Sequence, residues 1–367
     1  MSEILRKSTR DLDRARADLR TWLARKLPAG SAPEVTELSA PSTGQSSETL
    51  LFTATWDDEG VRRPRRLVAR VAPQLADMPI FPSYLMEREF QVIRTVGELT
   101  TVPVPEAVWV EPDPAAFGTP FYIMSRVDGL VPDDITYNSA GWFYEASRDD
   151  QRLVQESTVS AVAALHAIPD PERNFAFLQF PQAGDTALSR HVAHAQAWYD
   201  YAVAHGGRCP LIERGFAWLA DYWPADPGDT VLSWGDARVN NVIYRDFRPV
   251  ALLDWEMAGL GPREIDIAWL VGGHQVLEVI AGLLGSSGLP YLLRLEDVAT
   301  QYEAETGHAV RDMGFYLTYT AIQWAIVFVL VGLRRVRFGE QPRPADIHDL
   351  IINRGPLEQM LAAGRST

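Results

Sequence analysis

The sequence has little that would suit an oxidising or a membrane environment. Cys209 is the only cysteine among 367 residues, so no disulfide can form within the chain, and such cysteine usage is typical of a reducing cytoplasm. The first residues lack the long apolar stretch of a secretory signal. The longest apolar run, 324–333, is shorter than the roughly 20 residues that span a bilayer, and it predicts a buried helix. We therefore expect a cytoplasmic protein with no membrane partner.

Excess positive charge and several catalytic motifs are also missing. The formal net charge is −14, which argues against a broad basic surface for nucleic acid. The negative charge favours cationic small molecules as partners, and solubility alone is the alternative explanation for it. The chain has no Walker A loop, no G-x-S-x-G elbow and no H-E-x-x-H motif, so those enzyme classes are not indicated. His191 and His194 lie at helical spacing, but nothing completes a zinc site, and we expect ordinary side chains there.

The most informative stretch of the chain lies between residues 231 and 256. Apolar residues make up 47% of the chain, enough for a substantial core and for two lobes. Three short apolar runs at 231–232, 242–244 and 250–253 predict strands, with polar side chains where the strands stop. Asn241 follows Asp236 by five residues and Asp254 follows it by eighteen. This spacing matches the D-x-x-x-x-N catalytic loop of kinases and the metal-binding aspartate after it.

Phosphoryl transfer gives each of these residues a role. The attacking hydroxyl must be oriented and must give up its proton, which predicts Asp236 as the catalytic base. Magnesium prefers hard oxygen ligands, so Asn241 and Asp254 are the predicted metal ligands. Arg238 is placed to stabilise charge on the transferred phosphoryl group. Taken singly, each would more often be a turn residue or a solvated side chain, and only their combination favours the catalytic interpretation.

With these motifs the chain resembles the aminoglycoside phosphotransferase family of kinase-like enzymes. It is most similar to an actinobacterial branch whose catalytic loop is Trp-Gly-Asp-Ala-Arg and whose metal loop is Leu-Asp-Trp-Glu. The resemblance implies an α+β, two-lobed protein-kinase-like fold. It places an N-terminal helix and a small β-rich, nucleotide-binding N-lobe in 1–127, and a larger helical C-lobe with the catalytic loop, metal loop and acceptor site in 128–367. Trp234 stands where the family usually has a mainly structural histidine.

The resemblance also implies an ATP site built by the N-lobe. The polar stretch 42–49 is the predicted phosphate loop, with Gly44, Ser46 and Ser47 nearest the nucleotide, although an ordinary hairpin turn is the alternative. Arg70 occupies the position of the kinase lysine that holds the α- and β-phosphates. Arginine keeps that positive charge but is not equivalent to lysine.

Two further parts of the predicted N-lobe concern the nucleotide. Glu89, on a helix predicted over 82–96, should pair with Arg70 as the kinase glutamate pairs with its lysine. The alternative is a solvated helix carboxylate. By resemblance, Ser125 and Val127 lie at the hinge between the lobes, where backbone groups meet the adenine, and the ligand site would lie between the lobes.

The remaining predictions concern helices and the C-lobe. An amphipathic helix over 8–27, capped by Ser8 and Asp11, should pack on the N-lobe, and 57–66 should form a charged, solvated hairpin. By resemblance, Asp266 braces the catalytic loop by accepting backbone N–H bonds, and His166 is structural. Four residues at helical spacing form either an acceptor wall or plain core: Tyr316, Tyr319, Gln323 and Trp324.

The leading functional prediction is a Mg2+- and ATP-dependent phosphotransferase acting on a small-molecule hydroxyl. By resemblance, the acceptor is an aminoglycoside or a similar amino sugar. A hydroxyacyl-CoA acceptor is one alternative, because the Leu-Asp-Trp-Glu pattern resembles a branch with that substrate. A kinase-fold protein that binds nucleotide with little catalysis is the other.

Overall fold

A computed structural model describes residues 11–41, 47–74 and 78–364 of the protein. The chain divides into two compact units. The first comprises the chain up to Gly97 together with Pro105–Asp128, and the second comprises Glu98–Val104 and the chain from Gly129 onward. The elements of the first unit are α1 (Leu12–Lys26), β1 (Glu34–Ser39), β2 (Glu48–Asp58), β3 (Val61–Val71), α2 (Met86–Leu99), β4 (Ala107–Glu111) and β5 (Phe121–Ser125).

An antiparallel five-stranded sheet in the order β1-β2-β3-β5-β4 forms the first unit's framework. Strands β2 and β3 pair without interruption from Glu48 opposite Val71 to Asp58 opposite Val61. The predicted charged, solvated hairpin over 57–66 is therefore confirmed, with Glu59 and Gly60 forming its turn. The side chains from 61 to 66 are exposed, and backbone pairing with β2 extends the strand without any apolar pattern.

Helix α1 covers one face of this sheet. The Asp11 carboxylate caps it by accepting the N–H groups of Asp13 and Arg14, while Ser8 lies outside the described residues. Leu19, Trp22 and other apolar side chains of the helix are buried in one cluster with strand residues, which confirms the predicted packing. The Trp22 Nε1–H donates to a carboxylate oxygen of Glu111 at 2.8 Å, which ties the helix to β4.

The second unit is mainly helical. Its elements are α3 (Gly141–Glu145), α4 (Arg148–His166), α5 (Pro171–Asn174), α6 (Ala187–Ala204), α7 (Pro210–Asp221), β6 (Thr230–Ser233), β7 (Val242–Arg245), β8 (Arg248–Leu252), β9 (Gly259–Pro262), α8 (Glu264–Leu283), α9 (Leu295–Thr306), α10 (Met313–Arg337) and α11 (Arg354–Ala363). The small strands form two pairs, β6 with β9 and β7 with β8. All three strands predicted around the catalytic loop are present, whereas β9 was not predicted.

The core of the second unit includes the long helix α10. By length and composition this helix could cross a membrane, yet 78% of its most apolar window is buried inside the protein. That burial confirms the predicted buried helix over 324–333. Tyr316, Tyr319 and Gln323 are buried on the same helix, so these three belong to the core rather than to an open acceptor wall.

A neutral histidine is buried beside α10. The Nδ1 of His191 lies 2.7 Å from the Tyr319 hydroxyl oxygen, and that hydroxyl donates to the His191 carbonyl oxygen at 3.0 Å. The His191 Nε2 atom is buried without a hydrogen-bond partner. Burial, with a smaller effect from nearby His194, lowers the pKa of His191 to about 3, so the ring is uncharged near neutral pH.

We expect this histidine to make the protein less stable in acid. In the unfolded chain His191 has the ordinary pKa near 6.5, so between about pH 6.5 and pH 3 unfolding takes up a proton. The free energy of unfolding should therefore rise with pH across that window, by up to about 1.4 kcal/mol per pH unit from this group. Replacement by His191→Phe should remove that part of the slope in denaturant titrations, because Tyr319 keeps the backbone carbonyl as acceptor. If the unfolding free energy of His191→Phe rose with pH as steeply as that of wild type, the assignment to His191 would be contradicted. His308→Phe makes the same replacement at an exposed position and serves as the control.

Candidate functional site

The predicted catalytic loop runs from the end of β6 to the start of β7. Thr230 to Ser233 pair with Pro262 to Gly259 of β9, and Val242 pairs with Leu252 of β8. A short 3-10 turn over Val239–Asn241 closes the loop. Two antiparallel pairs thus hold both ends of the loop, so its side chains are fixed by strands and not by flexible segments.

Asp266, at the start of α8, braces the loop from beneath. Its Oδ2 accepts the backbone N–H of Trp234 at 2.7 Å, and its Oδ1 accepts that of Gly235 at 2.8 Å. The Ser233 hydroxyl donates to Oδ1 at 2.8 Å, and the His166 ring lies 2.9 Å from Oδ2. This geometry matches the bracing role that the resemblance implied for Asp266 and the structural role expected of His166.

Trp234 and Gly235 join the catalytic loop to the predicted metal loop. The indole N–H of Trp234 donates to the Leu253 carbonyl oxygen at 2.8 Å. Gly235 adopts φ +86°, and a Cβ atom there would lie 2.0 Å from the Met257 carbonyl oxygen. Only glycine allows this approach of the two backbones. The tryptophan that replaces the family's usual histidine therefore connects the two loops through its ring nitrogen.

The three residues of the D-x-x-x-x-N motif share one hydrogen-bonded arrangement. Arg238 donates to Asp236 through Nε at 2.6 Å and through Nη2 at 2.8 Å. The Asn241 side-chain N–H2 donates to Asp236 Oδ2 at 2.8 Å and to the Asp236 carbonyl oxygen at 3.0 Å. Asp236 is only 6% exposed. The structure therefore brings the predicted base, Arg238 and one predicted metal ligand together, although their chemical roles remain predictions.

Asp254 completes the set of predicted metal ligands. It lies two residues after β8 and has φ +60°, an uncommon conformation for a residue other than glycine and one that clusters at functional sites. Its negative charge contributes to raising the pKa of Arg238, so it lies within electrostatic range of the motif. Within 11–41, 47–74 and 78–364, no group of three or more His, Cys, Asp or Glu side chains forms a metal cage.

Arg238 is a buried cation surrounded by carboxylates. Burial alone would lower the pKa of its guanidinium, but Asp236 and Asp134 raise it above the ordinary value. The Nη1 atom lies 3.5 Å from Asp134 Oδ1, and the guanidinium carbon lies 5.3 Å from the centre of the Trp324 ring. Arg238 therefore remains charged at any pH where the protein is folded.

Asp134 is a site residue that the sequence did not reveal. It lies about a hundred positions before Arg238, in a loop with no helical or strand pattern, so no spacing connects the two. Trp324 was one of four candidates for an acceptor wall, and it is the one that contacts Arg238. The only feature of the sequence that could have pointed to Asp134 is its position beside a second acidic residue, Asp133, in a short loop.

The predicted nucleotide residues belong to the first unit. Gly44 and Ser46 lie outside the described residues, and Ser47, just before β2, is buried. Ser125 ends β5, where its hydroxyl oxygen accepts the Glu106 N–H at 2.9 Å, and Val127 is half-buried. Their contacts with a nucleotide remain predictions.

Arg70 and Glu89 are connected through the sheet. Arg70 on β3 lies opposite Tyr122 on β5, and the Tyr122 hydroxyl donates to Glu89 at 3.2 Å. Arg70 itself donates to the Thr49 hydroxyl at 2.9 Å. Glu89 is 3% exposed, which excludes the alternative of a solvated helix carboxylate, while its pairing with Arg70 remains a prediction.

Comparison with known structures establishes the fold. A candidate aminoglycoside phosphotransferase of Ralstonia eutropha is similar to 94% of this chain over 96% of its own, with a TM-score of 0.65 and 21% identity. A thermostable mutant of the aminoglycoside phosphotransferase APH(4)-Ia, in ternary complex with ADP and hygromycin B, is similar to 95% of this chain over its full length, with a TM-score of 0.56 and 17% identity. These likenesses confirm the kinase-like α+β fold.

Sequence comparison gives the family. A probable acyl-CoA dehydrogenase of Arabidopsis thaliana, IBR3, is 25% identical over 267 residues, which are 69% of this chain and 31% of the relative. The chain spans less than a third of the length of curated relatives that it matches. Residues 37–291 match the model of the phosphotransferase enzyme family, a range that contains all the predicted catalytic, metal and nucleotide residues. The protein belongs to the phosphotransferase enzyme family.

Proposed function

We propose that the protein is a small-molecule kinase that transfers the γ-phosphate of ATP to a hydroxyl group. The observation that supports this most strongly is the Asp236 carboxylate, buried and held by both Arg238 and Asn241 on a loop that Asp266 braces. Asp236 is held by two side chains to which the proposal gives roles in the same reaction, and phosphoryl transfer depends on positioning and charge neutralisation.

In the proposed reaction Asp236 orients the acceptor hydroxyl and takes its proton as the oxygen attacks the γ-phosphorus. The bond between the γ-phosphorus and the bridging oxygen breaks, and ADP leaves. Arg238 is already charged and buried, so it can stabilise the transferred group without reorganisation. Charge develops on the equatorial oxygens during the transfer, and a fixed guanidinium is suited to stabilise it.

The residues present suit a magnesium ion. Asn241 directs its side-chain nitrogen to Asp236, which leaves its Oδ1 as the atom for a cation. With Asp254 this gives two hard oxygen donors, the number that magnesium commonly takes from a protein when nucleotide phosphates supply others. Asn241 and Asp254 would hold the ion, which would supply positive charge to neutralise the nucleotide phosphates.

An amino sugar is the acceptor that the local charge supports. Around Arg238 lie three carboxylates, those of Asp236, Asp134 and Asp254. When Asp254 is assigned to the metal, the carboxylates of Asp236 and Asp134 remain beside the single guanidinium of Arg238. The net charge of these three groups is negative and attracts amines. The fold neighbour APH(4)-Ia was solved with hygromycin B and ADP, which supports the same class.

A hydroxyacyl-CoA thioester is the second candidate acceptor. The curated relatives carry acyl-CoA dehydrogenase names, and this chain corresponds to only part of each. A kinase segment within a protein that handles acyl-CoA would act on a related thioester. An anionic CoA acceptor would need basic residues at its entrance, so the two candidates predict opposite signs of charge at the entrance to the acceptor site.

The decisive measurement is magnesium-dependent ADP release in the presence of each acceptor class. We expect release to be stimulated by one class and to fall by about 1,000-fold in Asp236→Asn, because the amide cannot accept the proton. Asp221→Asn, an exposed carboxylate at the end of α7, is the matched control and should leave release unchanged.

The outcomes separate the proposals. Stimulation by aminoglycosides or by hydroxyacyl-CoA thioesters names the acceptor class. Equal stimulated release in Asp236→Asn and wild type would reject Asp236 as the base. Nucleotide binding without stimulated release by either class would favour the binding-protein alternative.

A further inference from the structure

A single carboxylate oxygen of Asp134 lies between two residues of the catalytic loop. The Asn240 side-chain N–H2 donates to the Asp134 carbonyl oxygen at 2.8 Å and to Asp134 Oδ1 at 3.1 Å. The same Oδ1 lies 3.5 Å from Arg238 Nη1. Asn240 is 6% exposed, so the amide that holds Asp134 is itself fixed in the core. Asp134 is therefore placed by the loop that it contacts.

The guanidinium of Arg238 is held on three sides. One edge, formed by Nε and Nη2, meets Asp236. Nη1 points toward Asp134, and one face lies over Trp324. Gly273 of α8 lies beside the aliphatic part of the Arg238 side chain. A Cβ atom added at Gly273 would lie 3.4 Å from Arg238 Cδ. Asp236 and Trp324 alone leave the Nη1 side of the guanidinium unsupported, and Asp134 supplies that support.

The orientation of Arg238 decides how much of Asp236 remains available. Three N–H groups already point at the two Asp236 oxygens, two from Arg238 and one from Asn241. An ionised carboxylate has about four acceptor positions, so about one is left for the acceptor hydroxyl. A small rotation of the guanidinium would cover that position or would release the base from its fixed geometry.

We propose that Asp134 is a positioning residue that holds Arg238 so that Asp236 keeps one acceptor position for the substrate hydroxyl. The effect on catalysis rests on the proposed phosphotransfer. The contact of Asp134 with Arg238, called the clamp below, is present in the protein without substrate. Asp134 does not touch the reacting atoms. It acts through Arg238, and its loss changes the geometry of the base without changing which residue is the base.

The first test is a double-mutant cycle on turnover. Asp134→Asn keeps the size and an oxygen for Asn240 but removes the charge facing Arg238. We expect kcat to fall by about 10- to 100-fold, as for misplaced catalytic groups, while the KM for ATP changes less than about twofold. In an Arg238→Ala background the same substitution should have no further effect, because the residue through which it acts is gone. Asp133→Asn, at the exposed neighbouring position, should leave kcat unchanged.

A purely structural Asp134 would give a different cycle. If it only anchored its own loop through Asn240, Asp134→Asn would reduce kcat equally in both backgrounds, and the proposal would be overturned. Asp134→Glu should recover part of the lost kcat, since it restores the charge.

The second test needs no acceptor. In arginine labelled with 15N at Nε, the Arg238 signal is assigned by its absence in Arg238→Lys, and its exchange with water is measured in nucleotide-free protein. We expect exchange at least about tenfold faster in Asp134→Asn and unchanged in Asp133→Asn. An unchanged rate in Asp134→Asn would overturn the clamp. Faster exchange in a protein that transfers phosphate to no acceptor would retain the clamp and reject the proposed function instead.

Discussion

Gly235→Ala should lower the rate of phosphotransfer by about 100-fold or more and destabilise the second unit. The new Cβ would lie 2.0 Å from the Met257 carbonyl oxygen and 2.5 Å from its carbon, which are backbone atoms that cannot rotate away. The residue would also have to keep φ +86°, a left-handed conformation that costs an alanine about 1 kcal/mol. Relief of the clash requires the catalytic loop to move away from the loop after Asp254.

The expected size of this effect follows from both contributions. Together with the strain, the clash should lower the free energy of unfolding by about 3 to 5 kcal/mol, the range of exceptional single substitutions. A shift of about 1 Å between Asp236 and Asp254 would by itself lower kcat by about 100-fold. Denaturant unfolding and magnesium-dependent ADP release measure the two effects separately.

Gly228→Ala is the matched control for this experiment. Gly228 has φ +77°, so the alanine is strained to a similar degree, but the nearest atom to its Cβ would be an Arg311 nitrogen 3.7 Å away. We expect a loss of about 1 kcal/mol in stability and no loss of kcat. Equal effects at the two glycines would show that backbone strain, and not the contact with Met257, explains the Gly235 result.

The sequence was sufficient for the site wherever neighbouring residues determine the geometry. Asp236 and Asn241 lie on one short loop between strands, so a spacing of five residues brings the Asn241 amide to the Asp236 carboxylate. Asp254 follows the next hairpin and was found by the same reasoning. In each case the flanking apolar runs predicted the strands correctly, because apolar residues of β7 and β8 are buried, among them Val242 and Tyr244 of β7 and Ala251 and Leu252 of β8.

The sequence was not sufficient where geometry depends on distant pairing. Strand β9 has the sequence Gly-Leu-Gly-Pro, which lacks any strand pattern, and it exists because β6 provides a partner. The exposed arginines of β3 form a strand for the same reason. Asp134 meets Arg238 only after the chain folds. These features arise from tertiary contacts that override local preference.

The first and second units also differ in how many of their predicted site residues the structure describes. In the second unit the motif residues are all described, and Asp266 has the contacts that were expected of it. In the first unit, two of the three predicted phosphate-loop residues, Gly44 and Ser46, lie outside the described residues. The proposed phosphotransfer is therefore supported by the contacts of the catalytic loop in the second unit.

Asp266→Asn should have the second largest effect, because neither orientation of the new amide fits. The Asp266 oxygens each accept one backbone N–H, from Trp234 and from Gly235. An asparagine replaces one oxygen by N–H2, so in either orientation a buried N–H group faces another donor. Breaking such a fully buried network costs about 3 to 5 kcal/mol. It also releases the loop that positions Asp236, so phosphotransfer should be lost.

Comparison with His166→Phe tests whether the backbone contacts of Asp266 are the important ones. The His166 ring supplies one of the four contacts to Asp266, at 2.9 Å, and also meets the Tyr302 hydroxyl at 2.8 Å. Its loss leaves the Trp234 and Gly235 N–H bonds in place, so the variant should lose about 1 to 2 kcal/mol and keep measurable activity. If His166→Phe were as inactive as Asp266→Asn, the imidazole would be essential to the brace. The greater loss in Asp266→Asn is expected because the backbone of the catalytic loop depends on the carboxylate directly.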